Sequence, residues 1–449
     1  MKKMIYAAAL TAFVASPAIA QQNAADNAST SDQIAWDITE GLTTEVGQRM
    51  PGTEAEARAR VWALKKLKTL GLKNVREENF MMPTWVRGEE TAEIVSPYPQ
   101  KMVIAALGNS GSTGEEALEA EVAYFASFAD LAAADASRVK GKVVFIDHHM
   151  KPAQDGSSYG FAGPGRWFGP NVAAKKGAAA IAIRSIGTDR HRNPHTGNTN
   201  FEEGVTPIPS GALTNPDADN LVRMIKRGKT VKMRLKLTPR NIGQQKSGNV
   251  IAEIPGSDPS LPIIVVACHL DSWDLAPSAF DDAAGCGIVT AAAIHATKSK
   301  QPLRTIRVLW AGAEEVGLWG GKAYGEKYKN APHALAMESD FGADRVWRIE
   351  FKTGAGRDAL KKQLGQAVER FGVSIGQQPA SGGADIQGII AAQEPMIIDL
   401  QQDGSRYFDL HHTPDDTLDK IDKAQLRQNV AVWTTVLQIT ANYKGKVKP

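Results

Sequence analysis

The second half of this 449-residue chain contains five side chains that could bind metal ions together. Three of them follow apolar runs: His269 after 263–268, Glu315 after 306–310 and Asp340 after 334–337. Each run predicts a β-strand, and residues at the carboxyl ends of strands in an α/β sheet meet at one edge. With Asp281 and His412, these residues predict a single metal site.

Two imidazoles and three carboxylates suit zinc, although cobalt or manganese would also accept them. One carboxylate, Asp281, could bridge two ions. Glu314 precedes Glu315, and adjacent residues point in different directions. One of the pair could therefore bind metal while the other takes a proton from water. Read alone, the pair could also be the acidic start of a helix.

Several other residues could support this site. Asp271 lies two residues after His269 and could orient its ring through a hydrogen bond. By the same argument, Asp416 could orient His412. Trp273 could line a substrate pocket, and so could the segment from Ser381 to Asp385, although a plain turn explains that segment equally well.

The apolar patterns predict an α/β fold, a mixed sheet flanked by helices. The predicted strands lie near 249–254, 262–268, 304–311, 333–338 and 396–400, separated by helices near 282–298, 314–329, 356–372 and 422–443. Residues 96–242 instead have short β-like runs between loops rich in Gly, Pro and Asn. We therefore predict a site-bearing domain formed by 21–95 and 243–449, with an inserted domain at 96–242.

The first residues have the pattern of a secretory signal peptide. Lys2 and Lys3 precede an apolar stretch, and Ala18-Ile19-Ala20 fits a cleavage site. The prediction is a signal peptide at 1–20, cleaved near Ala20, and a periplasmic or extracellular protein. With 52 basic and 49 acidic residues and no basic block, neither nucleic acid nor a membrane is an expected partner.

The two cysteines, Cys268 and Cys286, lie beside the predicted ligands. They could form one disulfide in an oxidising compartment. Two buried thiols are the alternative.

The motifs HLDSWD (269–274), DDAAG (281–285), AEEVG (313–317), MESD (337–340) and HHTPDDT (411–417) resemble the co-catalytic zinc exopeptidases. That family includes bacterial leucyl aminopeptidases and glutamate carboxypeptidase II. Within it, the carboxypeptidase Q (plasma glutamate carboxypeptidase) branch is also similar at 83–90, 183–185, 194–197 and 382–386. The inserted segment is similar to a protease-associated domain. The resemblance implies the zinc-dependent exopeptidase fold.

The resemblance also implies a role for each site residue. One zinc ion would be held by His269, Asp340 and bridging Asp281, and the other by Asp281, Glu315 and His412. Glu314 would be the general base and Asp271 the residue that orients His269. His411 would steady the oxyanion, a role for which Tyr407 competes. By this resemblance, relatives tend to have small residues where this chain has cysteines.

The function implied is hydrolysis of dipeptides or short peptides by a zinc-bridging hydroxide. A broader aminopeptidase, which needs only a free α-amine, and an N-acyl amino acid amidase remain alternatives. More remote ones are a single-zinc aminoacyl cyclase and a binding protein without catalysis. A homodimer is suggested by the resemblance alone.

Overall fold

In the computed structural model, residues 33–444 are described, and the predicted signal peptide lies outside them. Their sixteen strands form two eight-stranded sheets. The strands are β1 (Lys73–Val86), β2 (Glu90–Ser96), β3 (Gln100–Met102), β4 (Ile104–Ala106), β5 (Leu118–Phe125), β6 (Val143–Ile146), β7 (Ala180–Arg184), β8 (Ser210–Leu213), β9 (Lys232–Leu237), β10 (Arg240–Ile254), β11 (Ile263–His269), β12 (Ile306–Ala311), β13 (His333–Glu338), β14 (Val346–Lys352), β15 (Ser374–Ile375) and β16 (Met396–Gln402).

The first sheet has the order β1-β10-β12-β11-β13-β16-β14-β15. Its four central strands, β12, β11, β13 and β16, are parallel, and β10 and β14 flank them in the antiparallel direction. β11 is apolar throughout because both of its faces are buried. Ile264 and Val266 pack into one core, while Val265 and Ala267 pack into another on the opposite face.

Helices cover both faces of this sheet, as the alternating pattern predicted. The described helices are Ile34–Gly41, Glu54–Thr69, Phe128–Ala133, Ser157–Ala162, Pro164–Trp167, Gly169–Lys175, Asn215–Ile225, Ala284–Thr297, Trp319–Tyr328, Asp358–Glu369, Gln387–Gln393, Tyr407–Leu410 and Lys423–Ala441. Within residues 33–444, none of them combines the length and apolar character needed to cross a membrane. The prediction of a mixed α/β fold is confirmed.

The second sheet has the order β3-β2-β9-β5-β6-β7-β8-β4 and lies between residues 90 and 237. Its strands β5 to β8 are parallel. β2, through which the predicted boundary at residue 95 passes, pairs with β9 in this sheet. The division into a site-bearing domain and an inserted domain stays a prediction.

Candidate metal centre and substrate cavity

The carboxyl edge of the first sheet brings the five predicted metal ligands together. His269 is the last residue of β11, Glu315 follows β12, and Asp340 follows β13. Asp281 lies in an irregular turn before a buried helix, and His412 lies in the loop after a short helix near the end of the chain.

Asp281 lies between the two histidines. Its Oδ1 is 2.9 Å from His269 Nε2, and its Oδ2 is 3.0 Å from His412 Nε2. On the first side, Asp340 Oδ1 is 3.4 Å from His269 Nε2. On the second side, Glu315 Oε2 is 2.9 Å from His412 Nε2. The five side chains therefore form two groups that share one carboxylate.

The turn that carries Asp281 has a non-helical backbone, with φ −128° and ψ 84° at Asp281. Asp416 holds this turn, because it accepts hydrogen bonds from the backbone N–H of Phe280 (2.7 Å) and of Asp281 (3.1 Å). We expected Asp416 to orient His412, and that expectation is wrong. Its two oxygens are engaged by the turn instead.

His412 is oriented by a residue from the segment between β7 and β8. Its Nδ1 lies 3.3 Å from the carbonyl oxygen of Thr196, and the Thr196 N–H donates to the His412 carbonyl at 3.0 Å. His412 has a φ of 58°, in the left-handed region. A loop of the second sheet therefore fixes the ring of a predicted ligand from the first.

Glu314 and Glu315 lie in a turn rather than at a helix start. The predicted helix near 314–329 begins only at Trp319, because Gly317 and Leu318 have φ values of 135° and 60°, outside helical geometry. Asp271 accepts hydrogen bonds from the N–H of Glu314 (3.1 Å) and of Glu315 (3.2 Å) through different oxygens. This turn separates the two neighbouring carboxylates.

Backbone contacts also fix His269. Its Nδ1 lies 3.1 Å from the Asp271 carbonyl oxygen and 3.7 Å from Asp271 Oδ1. Its N–H donates to Asp282 Oδ2 at 3.1 Å, and the Gly285 N–H donates to Asp282 Oδ1 at 3.1 Å. Asp282 therefore holds the backbone, while its neighbour Asp281 faces the imidazoles.

The site concentrates negative charge in a buried space. Burial, followed by the charge of Asp340, raises the pKa of Glu314 well above its usual range. Burial and the charge of Asp281 raise the pKa of Glu315 similarly. Burial would lower the pKa of His269, but Asp340 and the neighbouring hydrogen bonds raise it well above the usual value. Such a cluster is stabilised by added positive charge.

The donor set fits zinc. Imidazole nitrogens and carboxylate oxygens are ordinary zinc ligands. Glu315 Oε1 is buried and makes no hydrogen bond with any described residue, so it has unused capacity as a ligand. The side chains divide into the two groups that a pair of ions sharing Asp281 would require.

A cavity of about 620 Å³ opens onto these groups. Asp281, Glu314, Glu315, Asp340 and His412 form its floor. Its other polar walls are Arg166, Asn198, Asn200, Lys322 and His411, and its aromatic walls are Tyr159, Trp167, Phe168, Phe341, Tyr407 and Phe408. A groove of about 690 Å³ beside β15 is slightly larger, but none of the described metal clusters lies there.

Arg166, in the helix Pro164–Trp167, is a buried cation in the cavity wall. Its Nη1 donates to the Thr196 carbonyl at 2.9 Å and lies 3.2 Å from His195 Nε2. Its Nε has no hydrogen-bond partner in the described part of the chain. The positive charge of this side chain in the cavity wall is suited to an anionic group of a ligand.

Of the residues predicted to hold the oxyanion or the substrate, some line the cavity and others do not. His411 and Tyr407 both line the cavity and stack on each other, with ring centroids 4.4 Å apart. Trp273 is buried, and its ring centroid lies 5.7 Å from that of His412. Ser381 bonds to Asp399 on the surface, and Asp385 is fully buried. Neither of these last two, nor Trp273, is among the lining residues of the cavity.

Cys268 and Cys286 are joined in a disulfide, with Cα atoms 5.1 Å apart. Both side chains are fully buried. Of the two alternatives that the sequence left open, the structure has the bridge.

Sequence reasoning missed Arg49, Tyr159, Arg166 and Thr196. Arg49 is fully buried and donates to the carbonyls of Leu270, Pro277 and Ser278, so it holds the loop between the first two ligands. Tyr159 and Arg166 lie outside all of the motifs that the sequence analysis identified. Thr196 lies in the motif PHTG at 194–197, whose resemblance was noted but not translated into a contact.

The fold and the site together define a zinc metallopeptidase. A sequence model of the family described as Peptidase family M28 matches residues 249–437. The chain is 32% identical to carboxypeptidase Q of Bos taurus over 404 residues, which cover 89% of this chain and 84% of that one. The chain belongs to peptidase family M28.

Solved structures agree with this assignment. A Peptidase M28 precursor from Shewanella amazonensis SB2B has a TM-score of 0.93 and 42% identity, covering 96% of this chain and 98% of that one. A zinc aminopeptidase from Bacillus subtilis has a TM-score of 0.64 at 21% identity, covering 93% and 97%. The second likeness establishes only a shared fold.

Proposed function

We propose that this chain is an exported exopeptidase that binds two zinc ions and hydrolyses dipeptides or very short peptides. The observation that carries the proposal is the position of Asp281, whose two oxygens face His269 and His412 at 2.9 and 3.0 Å. Asp340 completes the first group, and Glu315 completes the second. When bound, zinc supplies Lewis-acid chemistry that polarises a carbonyl and makes water more acidic.

The protein side chains would move the proton and hold the substrate. Glu314 lines the cavity, and its backbone is fixed by Asp271, so it is placed to accept a proton from the attacking water and return it to the leaving amine. Burial and neighbouring His412 lower the pKa of His411 well below its usual value. A neutral His411 can donate one hydrogen bond to the oxygen that becomes negative, and Tyr407 offers a second donor.

Arg166 supports a substrate with a free carboxylate. The cavity of about 620 Å³ has room for a small ligand, and Arg166 is a buried cation in its wall. A carboxylate there would form a charge-assisted hydrogen bond. Relatives named carboxypeptidase Q are consistent with this preference. An aminopeptidase would have no need of a cation at this position.

Export and dimer formation are the remaining parts of the proposal. The pattern at 1–20 supports export, and the Cys268–Cys286 bridge fits an oxidising compartment. Amino-terminal sequencing of the protein from a periplasmic fraction would test cleavage near Ala20. A homodimer rests on resemblance, and light scattering of the purified protein tests it.

The decisive experiment compares one dipeptide in three forms, free, N-acetylated and C-amidated, with zinc-loaded protein. Glu314→Gln and chelator-treated protein are the controls. We expect turnover of the free dipeptide only, and none in either control. Cleavage of the amidated form would indicate an aminopeptidase, and cleavage of the acetylated form a carboxypeptidase or amidase. No turnover of any form, with zinc bound, would contradict the proposal.

A further inference from the structure

We propose that the Cys268–Cys286 disulfide positions the first metal-binding group, His269 and Asp281, before an ion binds. The inference rests on the proposed function in one respect, that both groups of ligands bind zinc. It concerns cysteines that are absent from the ligand set and that the catalytic chemistry does not use.

The bridge encloses His269, which belongs to the first group alone, and Asp281, which both groups share, while Asp340 lies outside it. Cys268 immediately precedes His269 on β11, and Cys286 lies in the first turn of the helix Ala284–Thr297. The bridged cysteines are 18 residues apart, and both His269 and Asp281 lie between them. Glu315, by contrast, lies on a different loop outside the closed ring.

The first group has a physical need for such a constraint. Asp281, Asp282 and Asp340 gather around one imidazole in a buried space, so without a cation these carboxylates repel each other. A cross-link removes open conformations of the enclosed loop from the metal-free ensemble, which lowers the entropy that binding must remove. The ligands are then arranged before the ion arrives.

The bridge acts as a permanent constraint rather than as a switch. Both sulfur-bearing side chains are fully buried, in the core cluster beneath the first sheet. A reductant in solution therefore has no access to the sulfur atoms in the folded protein. The expected consequence is slow release of zinc from the first group in the oxidised, folded enzyme.

The test measures zinc release to a chromophoric chelator. It uses Cys268→Ala, Cys286→Val and the double variant, because Ala and Val preserve an apolar core. Asp340→Asn identifies which kinetic phase belongs to the first group. We expect that phase to become about 10-fold faster or more, the size of effect typical of residues that support metal ligands. The other phase should change less, because only the shared Asp281 links the second group to the closed ring, and the KM for a dipeptide should not change.

Comparison of single and double variants separates the bridge from ordinary packing. If the covalent bond matters, each single variant should equal the double variant, because either one removes the bridge. Additive effects would instead indicate lost packing and would overturn the inference. So would equal acceleration of both phases, or alkylation of both thiols in unreduced, denatured wild-type protein.

The same measurements keep this inference separate from the proposed function. Absence of dipeptide turnover, combined with a bridge effect on the first phase, would remove the proposed function and leave the bridge intact. Dipeptide turnover without any effect of the bridge on zinc release would support the proposed function and remove the inference about the bridge. If the double variant does not fold, the two single variants are compared with each other, because loss of the same bond should accelerate the first phase equally in both.

Discussion

Glu314 and Glu315 have different surroundings although they are neighbours. Glu315 Oε2 is 2.9 Å from His412, whereas Glu314 faces the cavity beside Asp340. The separation comes from Asp271, whose two oxygens each accept one of the glutamate N–H groups. In the proposed mechanism, this separation would leave Glu315 to bind metal and Glu314 to transfer protons.

Glu314→Gln should lower kcat by about 10²- to 10⁴-fold, because an amide cannot accept the proton of water. Zinc content and KM should stay unchanged, since Glu314 belongs to neither ligand group. Steady-state kinetics with zinc analysis measure both. Glu326→Gln, on the surface beside Lys329, is the matched control. A kcat within a few-fold of wild type would remove Glu314 from the mechanism.

Arg166→Lys should reduce the preference for a free carboxylate over its amide by about 10- to 100-fold in kcat/KM. The reason is the loss of a charge-assisted hydrogen bond worth about 1.5–3 kcal/mol. The compact ammonium group of lysine does not reproduce the planar, forked set of donors of arginine. The ratio of the two substrates in each variant provides the measurement. Arg234→Lys, an exposed residue paired with Glu93 and Glu119, is the control. An unchanged ratio would place the carboxylate elsewhere.

The loops after β11, β12 and β13 are the elements that build the site. Each begins where a buried parallel strand ends, and each bonds to a neighbouring element, as the N–H of Glu315 does to Asp271 and the N–H of Ser339 does to the Ala267 carbonyl. The Asp271 carboxylate joins the first loop to the second. The positions of these two loops therefore depend on each other, so a change in one displaces the other.

Asp271→Asn should destabilise the metal-free protein by about 1–3 kcal/mol, because one glutamate N–H would then face an NH₂ group instead of an oxygen. Denaturant unfolding of the metal-free protein measures this loss. Asp358→Asn, at a fully exposed position, should have no comparable effect. Equal stability of the two variants would mean that the turn does not depend on Asp271.

The strands were predictable from sequence, and the turns were not. Apolar runs such as 263–268 identify buried strands because both faces must be covered. The predicted start of the helix after Glu315 was wrong by several residues because nothing in the sequence marks Leu318 as left-handed. The contact between Thr196 and His412 was also missed. It joins residues far apart in the chain, and only the packing of two sheets brings them together.

At the scale of the whole molecule, loops of the second sheet contact the segment 407–412 beside the candidate metal centre. Thr196 orients His412, and Arg166 closes the cavity from the same side. Nearby, Asp409 accepts hydrogen bonds from the backbone N–H and the hydroxyl of Thr188, in the loop after β7. The segments between the strands of the second sheet are therefore part of the candidate site.

The contact between the sheets should make stability depend on pH through Asp189. Burial, followed by the charge of Asp409, raises the pKa of Asp189 from 3.8 to about 6. Because the folded pKa lies above the unfolded one, its ionisation destabilises the fold as pH rises through this window. Asp189→Asn should therefore be more stable than wild type by about 1 kcal/mol above pH 6, allowing for partial exposure, and equal near pH 4.

Denaturant unfolding at about pH 4, 6 and 8 checks this dependence. Asp258→Asn is the control, since hydrogen bonds from Ser260 lower the pKa of Asp258. The stability of this variant relative to wild type should therefore not rise with pH as that of Asp189→Asn does. A difference between Asp189→Asn and wild type that stays constant across this range would show that the carboxylate does not titrate there.

β1 and β10 run side by side, and Val86 pairs with Arg240 at the end of the ladder. The whole second sheet lies between these two positions, in the place where a hairpin would have its turn. Because loop-closure entropy grows only with the logarithm of loop length, a turn is a site where long segments can be accommodated. Such a segment could be gained in evolution without moving the host strands. The hydrogen bonds between Thr196 and His412 make the acquisition hard to reverse, because its removal would take away the support of a ligand.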